Sequence, residues 1–301
     1  MADGLGNFQE NKVRQCRLKK LVSLLPGLYK EESSQARCFW LDTLCIPVKG
    51  SAYRKEALLL LKEAYEQAAA TLILDEDLQN FEVKTDLDAG LSVITSAWVS
   101  RLWTLQEVSL SKMPWIAFPD SRVALNLLSN SIVMSHYIVD SGGTSEGACR
   151  TGSWCKMMLG LTVQLSSWIH GSASDRLEDS LSLRYSLLSV SLDGRETSDP
   201  RDEPLCLASM LDMDLAPLVQ CRPEDRMKVF WMSQNEVPQS LLFIACPRFQ
   251  EKGLRWAPKS LLALSRQGNA QMDIRPEMAQ VTPTESVALH EASYSLRQEE
   301  R

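Results

Sequence analysis

Apolar and polar positions alternate along this chain in three recognisable ways. Residues 38–46 are almost wholly apolar, fenced by charge upstream and by Pro47 downstream. That profile predicts a strand covered on both faces, as in a parallel sheet. Asp42 is its one carboxylate, and a carboxylate there must meet a donor or face a pocket. Residues 47–52 form a loop punctuated by Gly50 and Ser51. Residues 53–70 then carry helical period. Ala57, Leu61, Ala64 and Ala68 make one stripe, Leu58 and Tyr65 lie beside it, and Lys55, Lys62, Glu63 and Glu66 take the rest. Residues 71–74 form a second short apolar run closed by Asp75. Strand, helix, strand at this spacing predicts a βαβ unit with a right-handed crossover.

Further along, residues 75–88 are acidic and loop-like. Residues 91–110 return to helical period, with Ile94, Trp98, Leu102, Leu105 and Val108 or Ser109 on one face. Thr95 or Ser96 is placed to cap the stronger part of that helix. Residues 115–118, between Pro114 and Pro119, predict a third strand. Upstream, residues 13–25 are amphipathic, with Leu18, Leu21, Val22 and Leu25 at helical spacing and Pro26-Gly27 ending them. No strand is expected in residues 1–37.

Beyond residue 121 the pattern turns helical. Residues 122–136, 154–170 and 179–192 are amphipathic or apolar stretches, and the Gly/Ser-rich segment 140–152 is a candidate boundary. Ser198-Asp199-Pro200-Arg201-Asp202-Glu203 is a helix start: an Asp cap, a Pro at the first position and carboxylates in the first turn, running to about Leu211. Arg222-Pro223-Glu224-Asp225 begins another, with Met227, Phe230 and Trp231 as its buried face. Residues 241–245 predict a strand. The fold class expected is α/β, with a small parallel sheet and a largely helical C-terminal region. Its divisions are a polar segment 1–35, an α/β domain 36–120, a mostly helical region 121–265 and a poorly ordered tail 266–301.

Composition narrows the function. The chain has 301 residues, 45% hydrophobic and 23% charged, which is enough apolar material for a sizeable core. A net charge of -6 offers no basic footprint for nucleic acid. No run has the roughly 20 apolar residues that a membrane helix needs, and no secretory leader is evident. Eight cysteines include no C-x-x-C pair, and Cys38, Cys45, Cys206 and Cys246 sit in apolar runs where a thiol acts as a small hydrophobe. A reduced, cytoplasmic protein is expected.

Glu107 is the sharpest chemical candidate. It shares a helix face with Trp103, four residues back, while Arg101 and Gln106 lie off that line. A carboxylate beside an indole near a strand-end loop suits a catalytic acid, but an exposed or Arg-paired Glu on a packing helix is the commoner meaning of this spacing. Asp42 can orient a ligand or close on a backbone turn. Cys45 is either a nucleophile or, in apolar surroundings with no nearby His, a core thiol. His136, Cys149, Cys155 and His170 match no zinc spacing, so no metal is expected. Phosphate-loop, dinucleotide, hydrolase-elbow and metalloprotease motifs do not occur.

Trp40-Leu41-Asp42-Thr43-Leu44-Cys45-Ile46, Tyr65-Glu66-Gln67-Ala68, Leu72-Ile73-Leu74-Asp75 and Trp98-Val99-Ser100-Arg101-Leu102-Trp103-Thr104-Leu105-Gln106-Glu107 together resemble the fungal heterokaryon-incompatibility (HET) domain. The Arg-x-Trp-x-x-Gln-Glu string, carried by Arg101, Trp103, Gln106 and Glu107, is the most specific part, with Trp40 and Cys45 marking the earlier motif. Arg195 to Glu203 and Gly253 to Ser260 are similar to the C-terminal region of such proteins. The resemblance implies a role in nonself recognition and programmed cell death, through self-association or protein partners. It also implies a remote likeness to TIR domains of flavodoxin-like fold. Some TIR domains cleave NAD with a helix-borne glutamate. By that analogy Glu107 is the catalytic carboxylate, Asp42 positions the substrate, and NAD is a substrate rather than a bound cofactor. Pro47 and Val48 stand where family members commonly carry Asn-Gln, and the family's opening strand has no counterpart in residues 1–37. The resemblance therefore points to a shortened, non-catalytic member first, and to a TIR-like NAD hydrolase as the alternative.

Overall fold

The computed structural model describes residues 4–5, 13–26, 28, 38–47, 53–125, 127–128, 181–192, 194–262, 277–281 and 287–288. The boundary expected at 140–152, the amphipathic stretch 154–170, most of 122–136, the loop 48–52 and the side chain of Ile94 lie outside them. The architecture is mixed α/β, divided into two compact units, Met1–Ser172 and Ala173–Arg301.

In the first unit, β1 (Gly4–Leu5) pairs antiparallel with β2 (Val13–Arg14), a short ribbon that the sequence pattern did not predict. α1 (Gln15–Leu24) forms where its spacing predicts. Its end is held from a distance: the Arg122 guanidinium donates to Leu24 O, on the last residue of α1, at 2.5 Å and to Pro26 O in the turn beyond at 2.6 Å.

Residues 38–46 are not a buried strand. Cys38 to Trp40 are exposed, and α2 (Asp42–Cys45) is a single helical turn. The reason is local. Asp42 Oδ1 accepts from Thr43 N at 2.6 Å and from the Thr43 hydroxyl at 3.1 Å. Cys45 N and Ile46 N then close on Leu41 O and Asp42 O at 2.9 and 2.8 Å. Such side-chain bonding gives the backbone an alternative to a ladder. The predicted βαβ unit starting at residue 38 therefore does not form.

α3 (Arg54–Gln67) follows, burying Leu58, Leu61 and Tyr65. β3 (Thr71–Ile73) occupies the predicted second strand. The stretch expected to be one helix from 91 to 110 is three: α4 (Asp86–Thr95), α5 (Ala97–Ser100) and α6 (Leu102–Ser109). α4 starts early because Thr85 and Asp88 form a capping box, with Asp88 N donating to Thr85 Oγ1 at 3.1 Å and Thr85 N to Asp88 Oδ2 at 3.0 Å. Ser96 ends α4, its hydroxyl donating back to Val93 O at 2.7 Å.

β4 (Pro114–Ala117) pairs parallel with β3, Leu72 opposite Trp115, so the parallel crossover runs through α4–α6 rather than α3. β5 (Arg122–Ala124) returns antiparallel to β4, and Phe118 N donates to Ser121 O at 2.9 Å across the turn. The sheet order β3-β4-β5 is mixed, which corrects the all-parallel expectation. Ile73 and Ile116 pack with Val93, Trp98, Val99, Val108 and Phe118 into one core.

The second unit contains α7 (Leu181–Ser191), α8 (Glu203–Met210), α9 (Ala216–Gln220) and α10 (Arg226–Met232). Single 3₁₀ turns, Pro200–Asp202 and Pro223–Asp225, lead into α8 and α10 where the Pro-acid signals predict helix starts. Asp199 caps the first, accepting from Arg201 N at 3.1 Å. The strand expected at 241–245 is displaced. β6 is Glu236–Pro238, and Gln239–Leu242 is a 3₁₀ turn. β6 pairs with β7 (Met278–Val281), and β7 with β8 (Val287–Ala288). The stretch read as a poorly ordered tail thus supplies the middle strand of this sheet, with Ala279 buried and Val281 N donating to Asn235 O at 2.7 Å. Among the described residues no helix is long and apolar enough to cross a membrane.

Candidate functional site

Glu107 is held by an interruption in the helix. Arg101 separates α5 from α6 with an extended backbone, φ -80° and ψ 137°. The Thr104 hydroxyl lies 2.7 Å from both Trp98 O and Arg101 O, and so ties the first turn of α6 to the break before it. This turn brings the Trp98 indole back over α6, where Nε1 donates to Glu107 Oε2 at 3.2 Å. Arg101 Nη2 stands 3.8 Å from Glu107 Oε1. Trp98 is buried, Arg101 exposed, and the Glu107 side chain retains 17% of its surface. The result is a clasp in which an indole and a guanidinium hold opposite oxygens of one carboxylate.

Trp103 and Glu107 share α6 at a spacing of four, as the sequence reading has them, and Trp103 is half-buried. The partners across the break were not foreseen: Arg101, expected off that line, and Trp98 both reach the carboxylate. Gln106 is buried. The signal that marks the break is the serines Ser96 and Ser100, whose hydroxyls bond back to Val93 O and Ala97 O at 2.7 and 2.8 Å.

The other expected site residues stand elsewhere. Asp42 is exposed and turns its carboxylate onto Thr43, which is the turn reading of that residue. Trp40 stacks edge-on against Tyr65, ring centroids 5.6 Å apart. Cys45 is exposed, not a core thiol, and so is Cys38; Cys206 is buried as its pattern implies. Burial pushes the Cys246 thiol upward, against the opposing effect of Arg248. His136, Cys149, Cys155 and His170 lie outside the described residues. Among those that are described, no group of three metal-type side chains gathers.

The second unit brings together the two C-terminal stretches singled out in the sequence. Glu203, 2% exposed, accepts from Leu261 N at 2.7 Å and Leu262 N at 3.1 Å. Asp202 meets Arg226 Nη1 at 3.2 Å. The buried Trp231 donates from Nε1 to Pro258 O at 2.8 Å and packs edge-on against Trp256. Beside them lies an open cleft lined by Pro204, Met227 and Phe249, with Arg201, Lys228 and Lys259 at its rim. Asp199 grips Arg201 through two oxygens, at 2.8 and 2.9 Å, and holds the guanidinium above its ordinary range. Lys228 reaches Glu251 at 2.6 Å; that bond raises the lysine and lowers the carboxyl. The sequence reading did not find this cleft, because its lining comes from four separate segments.

Comparison of the chain with family models, with curated proteins and with solved structures finds no match.

Proposed function

We propose that this chain is a HET-type protein of fungal nonself recognition, acting in the cytoplasm through protein contacts, with Trp98, Arg101 and Glu107 of its Trp98-to-Glu107 motif serving as a structural clasp. The observation that carries this reading is the joint engagement of Trp98 and Arg101 by Glu107. Arg101 and Glu107 belong to the most specific stretch of the resemblance, Trp98 opens the longer motif three residues before it, and the clasp draws on residues on both sides of the break at Arg101. Each Glu107 oxygen already has a protein partner. With only 17% of its side chain exposed and its carboxylate turned to Trp98 and Arg101, Glu107 reads as part of the packing, which supports the non-catalytic member over the hydrolase. The β3–β4 parallel pair with helices between is compatible with the flavodoxin- or TIR-like sheet that the resemblance implies.

One exposed edge of Glu107 keeps the NAD-cleaving reading open to test. The experiment is induced expression in a filamentous fungus, scored for growth arrest, beside incubation of purified protein with NAD. Arrest by the wild type, weakened by Trp98→Ala, without release of nicotinamide, is the expected result. Nicotinamide release that Glu107→Gln abolishes installs the hydrolase instead. A folded wild-type protein that neither arrests growth nor cleaves NAD overturns both.

A further inference from the structure

We infer that the outer edge of β3 is a self-association surface, on which a second copy of this chain lays its own β3 antiparallel. The inference stands on the sheet alone and not on the family reading. β3 lies at one end of the order β3-β4-β5. Thr71 N donates to Met113 O at 3.0 Å, and the parallel register pairs Thr71 with Pro114 and Ile73 with Ile116. Thr71 and Ile73 therefore turn their backbone groups to β4. By the alternation of a strand, Leu72 and Leu74 turn theirs outward. Among the described residues, the outward N–H and C=O of Leu72 meet no partner.

Natural edges are protected by charge, proline, a bulge or a covering segment. This one carries none of the first three. Its side chains are Thr71, Leu72, Ile73 and Leu74, the last 38% exposed. The nearest charge, Asp75, is turned away: its Oδ1 accepts from Asp77 N at 3.1 Å and Leu78 N at 3.2 Å, starting the next 3₁₀ turn.

The sequence of the edge suits itself. A two-fold axis through Leu72 pairs Leu72 with its copy, Thr71 with Ile73 and, at the margins, Ala70 with Leu74. No like charges meet, the β-branched residues oppose one another, and the exposed Leu74 lies over a small side chain. The outward groups of Leu72 then form a hydrogen-bonded pair with those of the other copy. Pairing of this kind draws its affinity from main-chain bonds, and the edge displays no charge that would select a different partner.

The test is the molar mass of the full chain, 33.8 kDa as a monomer, measured by light scattering with rising concentration, together with hydrogen exchange read at Leu72. The expected result is a doubled mass and a Leu72 amide that exchanges more slowly as the dimer forms. Leu72→Pro removes the outward donor without removing a bond to β4, and weakens the dimer by roughly tenfold or more. Leu74→Lys changes a side chain already at the surface, so it separates loss of pairing from loss of fold, and the same weakening is expected. A monomer at every concentration with a fast Leu72 amide overturns the proposal. So does a dimer that survives both substitutions, since it must use another surface.

Discussion

The indole nitrogen of Trp98 and the carboxylate of Glu107 meet at 3.2 Å although they stand on different helices, separated by one extended residue. A continuous helix over these positions would send the two side chains to different places. The contact is therefore a report on the break, and the break can be tested through it.

Trp98→Phe keeps most of the buried ring but removes the donor. We expect a loss of about 1 kcal/mol, the net worth of one hydrogen bond, while Trp98→Ala costs about 3–5 kcal/mol through the cavity it leaves. Urea denaturation followed by circular dichroism measures both. Equal losses in the two variants would mean that the bond, not the packing, governs the site.

Glu203 predicts a larger polar effect. Its buried carboxylate serves the Leu261 and Leu262 amides, which have no water to fall back on. Glu203→Ala should destabilise the second unit by about 2–4 kcal/mol, because two buried donors are left unmet. Glu203→Gln keeps an acceptor and should cost less. Amide exchange at Leu261 and Leu262, slow in the wild type, should speed up in the alanine variant.

The Thr85–Asp88 capping box sets where α4 begins. Thr85→Ala should cost about 1 kcal/mol and Thr85→Asn much less, since Asn also accepts from the first-turn amides. If the alanine variant is neutral, packing rather than capping fixes that end.

The Lys228–Glu251 pair gives a pH signature. Glu251 titrates below the ordinary carboxyl range because Lys228 bonds to it, so its contribution is present above that range and is lost as pH falls through the lowered value. Lys228 titrates above the ordinary lysine range for the reciprocal reason, so its contribution is lost only as pH rises through the raised value. Both groups face solvent, and the stability effect is small and salt-sensitive. In a carboxyl NMR titration, Lys228→Gln should bring the Glu251 midpoint back up; an unchanged midpoint would show that the pair does not persist in solution.

The legible parts of this fold were those governed by short-range pattern. α1, α3, β3, β4 and the Pro-acid starts before α8 and α10 follow from periodicity and capping residues. What misled was an apolar run given more weight than the one carboxylate recognised within it. Asp42 binds Thr43 next door, and that single preference turned residues 38–46 from the expected strand into a helical turn. The 91–110 helix failed for a related reason: its apolar period continues through Ser96 and Arg101 although its backbone does not. β7 was missed because Met278-Ala279-Gln280-Val281 becomes a strand through pairing with β6, some forty residues earlier in sequence, and carries no strong local signal. At the candidate site the residue list was readable and the partners were not, since helix spacing pairs residues within α6 and says nothing of Trp98 and Arg101, which reach Glu107 across the break.

The way the second unit is fastened has a consequence for how it is made. Glu203 waits for amides at 261 and 262, and β6 waits for a strand that begins at Met278. During synthesis, the segments around α8 and β6 emerge well before the pieces that complete them. Until the residues from Met278 onward are free of the ribosome, this sheet lacks its middle strand, and Val237, buried in the finished chain, lacks the strand it pairs with.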